Sequence, residues 1–393
     1  MISNAFFMTG DIINTFSNMT CAQCGCTALI ADAIGWNCMM NNDTCQLISK
    51  YPSSDGHLEV THTGSFFFQN SSAGLLSSVT TEMSIMTSTI FAPIVGITVA
   101  GNSNGYVGSG TTGLNSPHGL FITDNGTLYV ADTYNVRVQA FPLGFSSDWT
   151  VVSSPILNFA EFLYADANTS TIYVSDHNLH KVIIHPQDLT IPKMNNSVGC
   201  DLNKLVSTTG IAVDSKGSVY ITSKFCQHVL KWNGPDANTS IRVAGTGLAG
   251  NDSTQLSDPY GIALDEINSV LYVADMYNHR IQKVFLNTNS TVGVTVAGGN
   301  GAGSALNQLN SPTSVIVSRK DGSLYIADGG NHRIVCWKVN AIEGILIAGS
   351  MNGTAGNTAV LLDTPFDLKL DANETFLYVS DMNNNRVQRF QLS

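Results

Sequence analysis

The sequence predicts an all-β fold: a six-bladed β-propeller closed by an N-terminal strand and preceded by a small cysteine-rich α+β module. Three observations carry this prediction. One pattern recurs six times through residues 91–393. Each copy holds short apolar, β-branched runs separated by turn residues. The last copy lacks a fourth run, which a lone strand ahead of the first copy can supply.

The recurrence is plainest in three segments. Pro259-Tyr-Gly-Ile-Ala-Leu-Asp265 leads to Leu271-Tyr-Val-Ala-Asp275-Met-Tyr-Asn-His-Arg280-Ile. Pro312 leads to Leu324-Tyr-Ile-Ala-Asp328-Gly-Gly-Asn-His-Arg333-Ile, and Pro365 to Leu377-Tyr-Val-Ser-Asp381-Met-Asn-Asn-Asn-Arg386-Val. An earlier copy reads Pro117-His-Gly and Leu128-Tyr-Val-Ala-Asp132-Thr-Tyr-Asn-Val-Arg137-Val. Two looser copies carry Ile172-Tyr-Val-Ser-Asp176 with His180-Lys181, and Val219-Tyr-Ile-Thr-Ser223 with Gln227-His228. The anchors 132, 176, 223, 275, 328 and 381 lie 44 to 53 residues apart. Within one copy the strands are predicted at Gly261–Leu264, Val270–Ala274, Arg280–Phe285 and Val292–Ala297. Four strands repeated at this period describe propeller blades, and the 3.6-residue periodicity of a helical solenoid is missing. The sixth copy stops after its third strand, Asn385–Gln391, whereas Ile97–Ala100 matches the fourth strands Arg242-Val-Ala and Thr295-Val-Ala. Pairing the two closes the ring and removes an exposed sheet edge.

Composition narrows the functional classes. The chain has 393 residues, a net charge of −11 and 12% charged residues, against about 25% in ordinary soluble domains. Its 18 Lys and Arg form no basic run, so the electrostatic footprint of a nucleic-acid partner is missing. No run of about 20 apolar residues exists to cross a membrane, and the nearest, 85–100, is interrupted by Pro93. Eleven Asn-x-Ser/Thr sequons point towards secretion. Met1 to Gly10 lacks the basic and apolar regions of a signal peptide, so an extracellular or cell-surface location implies a chain without its true start.

The Pro-x-Gly, Leu-Tyr-Val-Ala-Asp and Asn-His-Arg strings resemble NHL repeats, which are named after that last triplet. The triplet is complete at Asn278-His279-Arg280 and Asn331-His332-Arg333, partial at 135–137 and 384–386, and lost in the second and third copies. The resemblance covers about three quarters of the chain. It implies several functions. One is an interaction platform, either extracellular or intracellular like that of tripartite-motif ubiquitin ligases. Another is a pore-centred metal-dependent enzyme, as in the lyase that cleaves peptidyl-hydroxyglycine and the calcium-dependent lactonases.

The recurring charges are read as structural. Asp132, Asp275, Asp328 and Asp381 end a second strand, and Arg137, Arg280, Arg333 and Arg386 follow five residues later. A pair repeated in blade after blade braces the turn between second and third strands by charge-assisted hydrogen bonds. The tyrosine before each Asp is read as blade core. The Gly-rich stretches 101–113, 245–250 and 298–303 precede no helix, so they are read as loops between blades rather than phosphate cradles. These loops share a face with the bracing turns, and that loop-rich face is the expected binding face. Its pore-facing ring is His118, Glu161, Thr209, Tyr260, Thr313 and Phe366. One His and one Glu in adjacent blades leave a catalytic metal without a third ligand. No cofactor is therefore expected, and a binding protein is favoured over an enzyme.

Cysteines complete the sequence reading. Cys200, in the loop leading to the third blade, and Cys226, in its bracing turn, fall on one face and can form a disulfide. Cys336 reads as a buried thiol on a third strand. Five further disulfide candidates, Cys21, Cys24, Cys26, Cys38 and Cys45, crowd into residues 18–69, which resemble an extracellular apple/PAN-type module. Zinc is the competing reading there, against which stands the lack of two Cys-x2-Cys knuckles. Residues 70–90 read as a Ser/Thr-rich linker. The whole implies an extracellular protein offering one propeller face to a protein or glycan partner.

Overall fold

The computed structural model describes residues 94–392, apart from 143–148, 167, 188, 192–197, 235–236, 238 and 289, together with six short strands between 6 and 70. The chain divides into two compact units, Met1–Ile90 and Phe91–Ser393. The cysteine-rich module expected at 18–69 and the linker at 70–90 fall outside the described residues except for strand backbones. The apple/PAN resemblance, the zinc alternative and the five cysteines assigned to that module lie there too.

Six four-stranded antiparallel sheets make up the second unit. Their inner strands are Pro117–Ile122, Ala160–Asp166, Thr208–Val213, Pro259–Asp265, Ser314–Val317 and Pro365–Leu370. Each inner strand lies beside the next, and the sixth lies beside the first, so the ring is closed. The outer strand of blade six is Ile97–Gly101, which pairs antiparallel with Arg386–Gln391 (Val387 opposite Ala100, Gln388 opposite Thr98). The predicted closure is therefore present. No helix among the described residues is long and apolar enough to cross a membrane.

Blade four shows how the repeat encodes a sheet. Val270–Asp275 pairs with Arg280–Phe285, which pairs with Gly293–Gly298. The inner strand runs from Pro259 to Asp265, longer than predicted, because its register shifts between Pro259 and Ile262. A bulge of this kind bends the strand where it approaches the axis. The first strands of blades one, two, three and six shift at the same place. Glycine serves close approach there: a Cβ on Gly119 would lie 2.5 Å from the Glu161 carbonyl oxygen, and one on Gly210 2.4 Å from that of Tyr260. Between blades the filling is apolar, for example Ala327, Ile334, Leu368, Leu377, Val379 and Phe390 between the fifth and sixth. Tyr173, Tyr220, Tyr272 and Tyr378 are buried, in keeping with the tyrosine's reading as core.

The bracing turns are short 3-10 segments in four blades, each ended by a left-handed residue: Val136, His279, His332 and Asn385. In blade five the Asp328 carboxylate accepts the Asn310 backbone N–H (2.7 Å), the Asn331 amide (2.8 Å) and Arg333 Nε (2.8 Å). Arg333, fully buried, donates onward to the carbonyls of Ala305 and Gln308, both at 3.1 Å. The same set recurs around Asp275 and Arg280 and around Asp381 and Arg386. Asp132 and Arg137 repeat it, with Arg137 reaching the carbonyls of Gly110 and Gly113. Each pair thus pins its own turn to the long loop that leads into its blade.

A second contact joins neighbouring blades. Nδ1 of His180, His279 and His332 each accepts a backbone N–H of the next blade, from Ser207, Ser311 and Thr364, all at 3.0 Å. Gln227 and Asn385 fill the same position and accept from Asp258 (2.7 Å) and Ser116 (2.9 Å). An N–H can only donate, so the histidine must present a lone pair at Nδ1.

Two outcomes are expected in chemical unfolding. Arg333→Met strands the buried Asp328 carboxylate and costs about 3–5 kcal/mol. His332→Leu costs about 1–2 kcal/mol by orphaning the Thr364 N–H, whereas His332→Asn, which supplies the acceptor of blade six, costs less than half of that.

Candidate functional site

The axial end of the loop-rich face is built from two rings of residues. The lower ring holds the six positions expected from the sequence, and all six are buried. Thr209 and Thr313 are spent on structure. The Thr209 hydroxyl donates to the carbonyls of Pro259 and Tyr260, and that of Thr313 to those of Ala327 and Pro365. The other four converge. His118 stacks on Phe366 with ring centroids 4.1 Å apart, and Tyr260 meets Phe366 edge-on at 5.6 Å. The Tyr260 hydroxyl donates to Glu161 Oε1 (3.3 Å), whereas Glu161 Oε2 has no hydrogen-bond partner. Phe162 closes the base, 5.4 Å from Phe366.

The upper ring is the first residue of each bracing turn: Thr133, His177, Lys224, Met276, Gly329 and Met382. His177, which the sequence reading missed, brings Nδ1 to 3.6 Å from Glu161 Oε1, while His118 Nδ1 stands at 4.0 Å. His177 is thus a further polar neighbour of the His–Glu pair. The register of the turn could have shown it, because His177 directly follows the anchor Asp176. Among the described residues no group of three or more His, Cys, Asp or Glu is arranged to hold a metal ion. Lys224 is paired with Asp258 at 3.2 Å, and its ammonium lies over the Tyr260 ring at 4.8 Å.

Aromatic residues form the rim. Tyr134, Phe225 and Tyr277 are 61%, 59% and 58% exposed. Half-buried Phe159 bridges Tyr134 (5.7 Å), His118 (5.3 Å) and His177 (5.8 Å). The result is an aromatic funnel narrowing onto a buried carboxyl. An open cleft of about 530 Å³ lies beside it, lined by Tyr277, His279, Arg280, Thr295 and Asn300 among others. Arg280 there already serves Asp275 and three loop carbonyls.

Burial sets the charges at the base. It pushes the Glu161 carboxyl up to about 8, against the opposing pull of Lys224, so the group is largely protonated at neutral pH. Burial, with nearby His177, lowers His118 to about 3. Burial, followed by Lys224, also lowers His177. Both imidazoles are then neutral at pH 7, and Lys224 is the cation of the funnel.

Blade three lacks the Asp–Asn–Arg set, since Ser223, Cys226 and His228 stand in those places. A disulfide joins Cys200 to Cys226 across a Cα separation of 5.2 Å. It ties the loop leading into blade three to that blade's own turn, as the charged pairs do elsewhere. Cys336 is free and buried on Arg333–Trp337.

Comparisons with known proteins agree with the repeat and the fold. The NHL repeat family model matches residues 114–141 and 309–337. NHL repeat-containing protein 2 of Bos taurus is 33% identical over 96 residues, 23% of this chain and 13% of that protein. This chain therefore matches only a small part of that relative's length. An auxiliary nutrient binding protein from Bacteroides thetaiotaomicron shares the fold at a TM-score of 0.57 and 13% identity, covering 90% of this chain and 87% of the other. A gluconolactonase from Xanthomonas campestris does so at 0.52 and 13%, covering 71% and 87%.

Glu161 also gives a pH signature. Its folded-state pKa of about 8 lies above the ordinary 4.5, so the stability it allows is complete below about pH 4.5 and is lost as pH rises through 8. In urea unfolding, Glu161→Gln should gain on the parent chain between pH 5 and 8, by at most about 1.4 kcal/mol per pH unit. Blade count and ring closure make the chain a six-bladed β-propeller, and it carries matches to the NHL repeat at residues 114–141 and 309–337.

Proposed function

We propose that this is an extracellular binding protein that presents the loop-rich face of its propeller to a protein or glycan partner. The aromatic funnel carries the reading. Exposed Tyr134, Phe225 and Tyr277 lie on the turns beside a buried floor with few charges, the combination of rigid aromatic anchors and sparse polar groups typical of binding sites. The pore-facing residues act here as its floor, with His118, Glu161, Tyr260 and Phe366 facing the ligand and Thr209 and Thr313 holding the strands. Similarity of fold to a nutrient binding protein is consistent with binding and says nothing of the ligand. The acidic balance makes a nucleic-acid partner a poor fit.

Two features support the extracellular half. Disulfides such as Cys200–Cys226 persist in oxidising compartments. The described sequon asparagines, Asn125, Asn168, Asn251, Asn352 and Asn373, are all exposed and open to glycosylation. One observation favours a second reading, a lyase or lactonase-like hydrolase: a carboxyl kept protonated at neutral pH beside neutral imidazoles is equipped as a general acid.

Native material should show a Cys200–Cys226 peptide by non-reducing mass mapping and a mass loss on glycosidase treatment; free thiols without glycan would end the extracellular reading. The double variant Tyr134→Ala, Phe225→Ala should weaken partner capture at least about tenfold with its unfolding midpoint preserved. Capture unaffected by that variant would move the binding face elsewhere. Turnover of a lactone abolished by Glu161→Gln would favour the enzyme instead.

A further inference from the structure

We propose that the funnel takes up an alkylammonium group, seated among the rings of His118, Phe159 and Tyr260 and paired with Glu161. This rests on reading the loop-rich face as a binding face and names the chemistry it selects.

The base of the funnel is incomplete as it stands. Glu161 is 2% exposed, and its Oε2 has no hydrogen-bond partner. An unsatisfied buried carboxyl carries a desolvation cost that a partner recovers. Once Glu161 ionises, that partner must be a donor, and the surrounding surface selects a cationic one. Phe159, Phe366 and Tyr260 converge on the site with centroid separations of 4.1 to 5.6 Å along the chain of contacts through His118 and Phe366. Aromatic faces attract cations, most strongly where water is excluded. The funnel contains an internal example, because Lys224 lays its own ammonium over Tyr260 at 4.8 Å and near Phe225 at 5.8 Å.

Charge agrees. The groups facing Glu161 are His118 from blade one, Asp176 and His177 from blade two, Lys224 from blade three, and Asp258 and Tyr260 from blade four. Lys224 and Asp258 cancel as a pair. Asp176 is buried and accepts the backbone N–H groups of Asn158, Phe159 and Leu179. The imidazoles are neutral, so once Glu161 ionises the site lacks one positive charge. Entry of a cation makes Glu161 ionise, so binding releases one proton.

The test uses the full chain and three probes of similar size: n-butylammonium, n-butanol and butyrate, followed by calorimetry. Only the cation should bind. Its charge is fixed, so the pH profile belongs to the protein: affinity should rise about 50-fold from pH 6 to 8 and then level off, following ionisation of a group titrating at about 8. Glu161→Gln, with its unfolding midpoint checked, should bind at least about tenfold more weakly at pH 8 and lose the pH dependence. Lys224→Met should bind more tightly at every pH, since it removes a like charge and frees the Tyr260 face. Equal binding of all three probes, or a pH profile that survives in Glu161→Gln, overturns the proposal. So does failure of the cation to bind either the parent or the Lys224→Met chain at about 10 mM. If the cation fails while Tyr134→Ala, Phe225→Ala still loses partner capture, the ammonium assignment falls and the binding face stands.

Discussion

The fold depends on one arrangement: a group at the end of each second strand that holds a long, nearly structureless loop against its own blade. Six blades meeting at one axis need connections that run from the rim back to the centre, and such connections are rich in glycine and poor in internal hydrogen bonds. Four blades solve this with a buried aspartate and an arginine whose donors are spent on loop carbonyls. Blade three solves it covalently, with Cys226 near the Gly199 carbonyl where Asn278 meets that of Gly250 in blade four. Blade two keeps only the carboxylate, Asp176, which draws in the N–H groups of Asn158 and Phe159.

The clamps also place the site. Because each one fixes a turn, the residue that begins the turn is delivered to the axis in a defined position while its identity stays free. Thr133, His177, Lys224, Met276, Gly329 and Met382 vary for that reason. A conserved frame with a variable first residue lets a symmetric scaffold carry an asymmetric funnel. The funnel is polar towards blades two and three, where His177 and Lys224 stand, and apolar towards blades four and six.

Most of the propeller was legible in the sequence because its determinants are local and repeated. Blade four's third strand, Arg280–Phe285, has the limits its apolar run predicts, and the closing strand was found by asking which copy lacked a partner. The longer inner strands were not legible, since a bulge is a property of how neighbouring strands crowd at the axis. Of the site, the lower ring could be aligned by counting from one glycine, although Phe162, Ser314 and Asp367 replace that glycine in three blades. His177 escaped because it does not recur, and repetition was the means of finding residues. The roles of Thr209 and Thr313 escaped for a different reason: a threonine facing a pore and one bonding a neighbouring strand have the same sequence signature. Cys200 and Cys226 were paired correctly, but their equivalence to the charged clamps needed the superposed blades.

The closing strand has a kinetic consequence. Thr98 hydrogen-bonds Gln388 across a separation of 290 residues, so the ring is sealed between the two ends of the propeller. During synthesis the first strand emerges with no partner and must wait for nearly the whole domain to leave the ribosome. At about 5–20 residues per second that wait is about 15–60 s. Throughout it, blade six exists only as an unfinished edge, and blades one to five can form as neighbours without the mutual confinement of a closed ring. The seam therefore makes the domain an all-or-nothing object late in its folding, with an interval of exposure that a chaperone, or a second nascent copy, could meet first.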